Sequence, residues 1–123
     1  MVQPRTLVKI CDNSGGNVGR VFKVLGSSKK RYAEIGDIVA VSVQSAEPRK
    51  DVKKNDVVHG ILVRQRKPWR REDGSYVRFD DNAVVLVNQN TGEVPANRLF
   101  GPIPRELGDS EFPQITSLAN ETV

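Results

Sequence analysis

Gly60-Ile61-Leu62-Val63 runs into the basic arm Arg64-Gln65-Arg66-Lys67-Pro68-Trp69-Arg70-Arg71. The chain then turns at Asp73-Gly74, returns through Tyr76-Val77-Arg78-Phe79 and re-enters apolar sequence from Ala83 to Leu86. This is the pattern of a core hairpin whose tip has left the core. Asp-Gly supplies the two positive-φ positions of a type I′ turn, so the arm is predicted to be a two-stranded ribbon over about residues 64–79. Six cations (Arg64, Arg66, Lys67, Arg70, Arg71 and Arg78) face two anions (Glu72 and Asp73) in it, a net +4 that equals the net charge of the whole chain.

The charge outside the ribbon is uneven. Residues 93–123 carry a net −3, which leaves +7 on residues 1–92. A polyanion therefore has a landing surface on the body, while the acidic tail suits protein or solvent. With 123 residues the chain is predicted to form a single domain, its barrel over about 1–92 and a short-helix region over about 93–123. One cysteine allows no internal disulfide, and Pro4, Arg5 and Lys9 stand where a secretory signal would need an apolar run. The longest aliphatic run, Ala83–Val87, is far too short to span a bilayer, so no membrane association is expected.

Working outward, strands are predicted at Thr6–Cys11, at Val18–Leu25, from Ile38 through the alternating Val39, Val41 and Val43, and from Val57 into Gly60–Val63. Gly36-Asp37 and Asn55-Asp56 repeat one entry signal. Each pairs a residue tolerant of left-handed backbone with an aspartate and a β-branched pair, which predicts two similar tight turns. Ala83–Val87 lacks polar alternation and reads as a strand covered on both faces. Pro95, Pro102, Pro104 and Pro113 restrict the remainder to short helical turns near Pro104–Leu107 and Gln114–Ala119. The predicted class is mainly β: a small barrel with a cap.

Catalysis finds little support. One His and one Cys make no zinc cluster; His59 reads as a strand residue and Cys11 as a small buried hydrophobe, and no cofactor or metal is expected. Asp12-Asn13-Ser14-Gly15-Gly16 lacks the lysine and helix of a phosphate loop and reads as a hairpin turn. Asp80-Asp81 reads as a solvated turn, because neighbours on a strand point to opposite faces.

The cations carry the binding expectation. In the ribbon, Trp69 lies among Arg66, Lys67, Arg70 and Arg71, where it could stack on a base, and arginine forks suit phosphate oxygens. The alternative is that Trp69 packs beneath the ribbon. Further cations sit in two predicted loops, Lys29-Lys30-Arg31, where a solvated face is the competing reading, and Arg49 to Lys54, which carries four more.

Gly60–Val63, nine residues, Asp73-Gly74, four residues, Phe79, two residues, Asn82, two residues, Val85-Leu86 resembles the signature of the large-subunit ribosomal protein fourteen family. Asp12-Asn13-Ser14-Gly15, Val24-Leu25-Gly26, Arg31-Tyr32-Ala33, Gly36-Asp37-Ile38, Pro48-Arg49, Val52-Lys53-Lys54 and Phe100-Gly101-Pro102 with Arg105-Glu106-Leu107 resemble it in order and spacing. The resemblance implies a five-stranded β-barrel with a protruding basic ribbon and a small helical C-terminal part, bound to large-subunit rRNA. The residues themselves, in the basic arm and loops, point to Lys29, Lys30, Arg31, Arg49, Lys53, Lys54, Arg64, Arg66, Lys67, Trp69, Arg70, Arg71 and Arg78 as its contacts. The resemblance also implies a bridge to small-subunit rRNA and contacts to neighbouring large-subunit proteins such as proteins three and nineteen. It further implies docking of a ribosome-silencing factor; the protein-contact face is read as Asn97, Arg98, Arg105 and Gln114, with Asn97 and Gln114 departing from the threonine and lysine common in the family. The absence of an N-terminal extension resembles the bacterial branch, in a cytoplasmic ribosome, or the organellar one. Two rivals remain open: a free-standing single-strand-binding barrel, which needs an aromatic platform on adjacent strands, and a protein-binding barrel whose arm meets an acidic partner.

Overall fold

The computed structural model describes residues 2–26, 31–50, 52–88, 94–96, 98–109, 114–119 and 121–123. Five strands close into a barrel in the order β1 (Leu7–Ile10), β2 (Gly16–Val24), β3 (Ile38–Ala46), β4 (Val57–Arg64) and β7 (Ala83–Val87). Neighbours pair antiparallel except at the seam, where β1 runs parallel to β7 with Lys9 opposite Ala83 and Ile10 opposite Val84. Parity requires this. Five strands of alternating direction cannot close a ring without one parallel pair.

The interior is filled by β-branched and aliphatic side chains at every second position, among them Val8, Val21, Val39, Val41, Val43, Leu62, Val84 and Leu86. Alternation on β4 and β7 also sends Ile61, Val63, Ala83, Val85 and Val87 outward, into a second core with Leu99, Ile103, Leu107 and Ile115. Both faces of these two strands are thus covered, as the unbroken apolar run Ala83–Val87 predicts. The covering elements are small: β8 (Pro102–Ile103) paired parallel with β9 (Glu121–Thr122), a 3₁₀ helix (Arg105–Asp109) and α1 (Gln114–Leu118).

The two predicted turns share one geometry. Asp37 N–H donates to the Glu34 carbonyl and Asp56 N–H to the Lys53 carbonyl, with Gly36 and Asn55 at φ +92° and +72°. These are the positions a type II turn reserves for residues that tolerate positive φ. Each aspartate then accepts the N–H at the start of its turn, Glu34 N at 2.8 Å and Lys53 N at 2.9 Å.

The ribbon forms between β4 and β7: β5 (Trp69–Arg70) pairs antiparallel with β6 (Tyr76–Val77). Its turn departs from the type I′ expectation. Gly74 alone is left-handed, at φ +89°, while Asp73 keeps a negative φ. Gly74 N–H donates to the Arg71 carbonyl and Arg71 N–H to the Ser75 carbonyl, which makes Glu72-Asp73-Gly74 a three-residue loop closed by a glycine bulge. Asp73 favours this loop by accepting the Ser75 hydroxyl at 2.6 Å and the Ser75 N–H at 2.9 Å. These bonds hold the Asp73 carboxyl below its usual range.

Candidate nucleic-acid interface

Strand alternation gives the ribbon two unlike faces. Trp69, Arg71, Val77 and Phe79 are half-buried, while Arg70, Tyr76 and Arg78 are exposed. Trp69 stacks on Phe79 with ring centroids 5.8 Å apart and planes 28° apart. The tryptophan is therefore not the freely exposed aromatic among cations that its sequence neighbours suggest. That description fits Tyr76, which is 71% exposed and lies opposite Arg70 across the ribbon. Period-two alternation from Val77 was the signal that could have found it.

Of the six ribbon cations, two are spent inside the protein. Arg64 is only 8% exposed; its Nε lies 3.3 Å from Asp81 Oδ1, without hydrogen-bonding alignment, and its guanidinium packs over Gly101. At φ +85° Gly101 tolerates this approach, since a Cβ there would overlap Arg64 Nη1. Asp81 also lies 3.7 Å from Lys9 Nζ, so it is a structural counter-ion and not only a solvated turn residue. Arg71 pairs with Glu106 of the 3₁₀ helix, 2.7 Å from Nε to Oε1, and its Nη2 donates to the Val123 carbonyl at 2.6 Å. Arg66 remains exposed, with its Nε donating to the Asp80 carbonyl and its N–H to Asn82 Oδ1 across the ribbon base. Lys67, Arg70 and Arg78 are exposed as well.

The remaining candidates divide between the two barrel ends. Strand directions put the β2–β3 loop with Arg31 at the same end as the ribbon. The β3–β4 loop, with exposed Arg49, Lys53 and Lys54, lies at the other end. The eight residues of β4, at about 3.3 Å each, span roughly 25 Å between them. Lys53 Nζ donates to the Pro48 carbonyl within its own loop. Lys29, Lys30 and Asn97 fall outside the described residues. In the cap, Arg98 lies 5.5 Å over the Phe100 ring, Arg105 is exposed, and Gln114 Oε1 accepts the Val94 N–H at 3.3 Å.

Sequence reasoning also passed over the barrel wall. The five barrel strands contain no aspartate or glutamate, and outward-facing Lys9, Arg20 and Lys23 are all exposed. Cys11, which closes the seam, is buried and its thiol is pushed up to about 12, chiefly by loss of solvation. It is an inert packing residue at neutral pH.

Fold and charge together define a small closed β-barrel with a basic appendage. The family is specific. The sequence model of ribosomal protein L14p/L23e matches residues 1–123, and the chain belongs to that family. It is accordingly a structural constituent of the large ribosomal subunit, located in the ribosome and associated with its rRNA.

Proposed function

We propose that the whole chain acts as one rRNA-binding domain that contacts large-subunit rRNA directly through the outward face of the ribbon. The observation that carries this reading is the alternation that exposes Arg70, Tyr76 and Arg78 on one face while Trp69 and Arg71 turn inward. Cations position phosphates, and Tyr76 offers a ring to an unstacked base. Arg66 and Lys67 extend the contact at the ribbon base, Arg31 adds to it at the same barrel end, and Lys29 and Lys30 belong to that loop in sequence. Arg49, Lys53 and Lys54 form a separate patch, suited to a second stretch of RNA. The function is neutralisation and packing, with no turnover of substrate.

The family resemblance supports finer assignments: a place at the subunit interface, a bridge to small-subunit rRNA, and neighbours such as large-subunit proteins three and nineteen. It also supports a bacterial or organellar origin and a protein-contact face that includes Asn97, Arg98, Arg105 and Gln114, although Asn97 and Gln114 stand where relatives often carry threonine and lysine, which weighs against a silencing-factor contact through those two positions. Gln114 enters that face with its side-chain carbonyl already engaged by Val94.

Sedimentation of tagged protein from native lysate, with and without ribonuclease and across a salt series, tests the reading. Co-migration with large subunits that is lost on RNA digestion is expected. Migration with a complex indifferent to ribonuclease would overturn it in favour of a protein-binding barrel. For the purified chain on large-subunit rRNA, the four exposed ribbon cations contribute roughly −3 to −4 to the slope of log K against log salt, and the loop cations steepen it further.

A further inference from the structure

Between the ribbon tip and the 3₁₀ helix lies a cleft of about 550 Å³ whose charges balance: Arg70, Arg71 and Arg105 against Glu72, Asp73 and Glu106. Arg71 lines it and spans two parts of the chain, the ribbon and the cap, that share no strand pairing among the described residues. Its side chain is 11% exposed; Nε lies 2.7 Å from Glu106 Oε1, and Nη2 donates to Glu106 Oε2 at 3.3 Å and to the Val123 carbonyl at 2.6 Å. The Val123 backbone is itself held, donating to the Ile103 carbonyl and accepting from Arg105 N–H. The Val123 end of the contact is therefore fixed in the cap, and Glu106 belongs to the 3₁₀ helix of the same cap.

We infer that Arg71 is a positioning residue: it latches the ribbon to the C-terminal cap and orients the exposed cations, and it does not itself neutralise a phosphate. This inference rests on the RNA reading of the ribbon for its functional consequence, though not for the latch itself. The physical argument is one of competition. Arg71 Nε is already shielded from solvent against a carboxylate. A phosphate would have to displace Glu106 and the Val123 carbonyl together, whereas Arg70 and Arg78 stand exposed nearby. The inward face that holds Arg71 also carries the Trp69–Phe79 stack, so releasing the latch leaves the ribbon held by that stack and its base. Ribbon orientation and the state of the cap are coupled through one ion pair, and a ligand that draws Glu106 away would loosen the ribbon.

The two assignments predict opposite signs for one substitution. If Arg71 binds phosphate, Glu106→Gln frees it and removes an anion, and RNA binding tightens. If Arg71 is the latch, Glu106→Gln loosens the ribbon and RNA binding weakens. Amide hydrogen exchange of the free full-length chain reads the latch directly at Arg71, Gly74 and Phe79, whose N–H groups hold the ribbon closed, with Val43 and Leu62 as barrel controls. The expected result is about five-fold faster exchange at the ribbon amides in Glu106→Gln, unchanged controls, and partial recovery in the charge-swapped Arg71→Glu, Glu106→Arg pair. On purified large-subunit rRNA, Arg71→Gln is expected to lower affinity without changing the salt slope. Unchanged ribbon exchange in Glu106→Gln, or a slope reduced by about 0.7 to 0.9 in Arg71→Gln, would overturn the inference. If the unaltered chain binds no rRNA, the RNA reading fails while exchange still decides the latch.

Discussion

The carboxylate of Asp12 accepts the backbone N–H of Leu86 at 2.9 Å, a bond between residues 74 positions apart. It extends the parallel seam one step beyond the Cys11 N–H to Val84 carbonyl bond. The other oxygen accepts from Ser14 N–H and its hydroxyl, so a residue that is 4% exposed has both oxygens occupied. Phe100 N–H donates to the Cys11 carbonyl and Asn13 N–H to that of Arg98, which ties the cap to the same turn. Asp12→Ala is expected to cost about 2–3 kcal/mol in urea unfolding, because it orphans buried donors. A loss below about 0.5 kcal/mol would show that the seam closes without it.

The Arg64 guanidinium over Gly101 makes a second position sensitive. Gly101→Ala must force a Cβ into Arg64 and hold a non-glycine residue at φ +85°, a backbone cost of about 1–2 kcal/mol before the clash is counted. Denaturant midpoints are expected to fall by more for this variant than for Gly74→Ala, since Gly74 has a similar φ but open space around its missing Cβ.

Tyr76 and Trp69 are expected to separate cleanly. Tyr76→Ser should leave folding unchanged and weaken binding to large-subunit rRNA by about five-fold or more, the loss of one stacked base. Trp69→Ala should instead accelerate exchange at Phe79 N–H, because it removes the inner stack. Equal binding losses with no exchange difference would return the stacking role to Trp69.

Cys11 sets an alkaline limit. Its thiol is held near 12 in the fold against an ordinary 9.0, chiefly by desolvation, so the native state keeps it protonated where the unfolded chain releases the proton. Its contribution is fully present below pH 9 and declines by about 1.4 kcal/mol per pH unit from there to about 12. Unfolding free energies of Cys11→Ala measured from pH 8 to 10.5 should fall less steeply than those of the unaltered chain. Parallel curves would show that the buried thiol is not the responsible group.

Asp73 acts in the opposite sense. Its depressed carboxyl supports the ribbon turn above the ordinary carboxyl range, and that support is lost as pH falls through its folded value. The protection of Gly74 N–H, taken relative to the intrinsic exchange rate at each pH, should fall in acid in the unaltered chain, and Asp73→Asn should show less of this pH dependence. An equal acid response in both chains would assign it elsewhere.

The amino-acid pattern alone determined the five barrel strands but not the β8–β9 pair of the cap, together with the twin turns at Gly36-Asp37 and Asn55-Asp56, the double-sided burial of Ala83–Val87 and the presence of a cationic ribbon. Each is written within a few residues, by period-two alternation or by a residue that accepts positive φ, so local physics suffices to read it. Tertiary structure decided which cations stay exposed and which aromatic faces solvent. Arg71 meets Glu106 across 35 positions, and Asp12 meets Leu86 across 74. No local pattern encodes such pairs; they form only after the barrel closes and the cap folds back over β4 and β7. The ribbon turn lay between the two cases. Asp-Gly correctly marked its place, but Ser75, by occupying the Asp73 carboxylate, goes with a three-residue loop over the two-residue one. Charge count thus described a ribbon of six equal cations, while closure of the chain buried one of them, latched another and left four exposed.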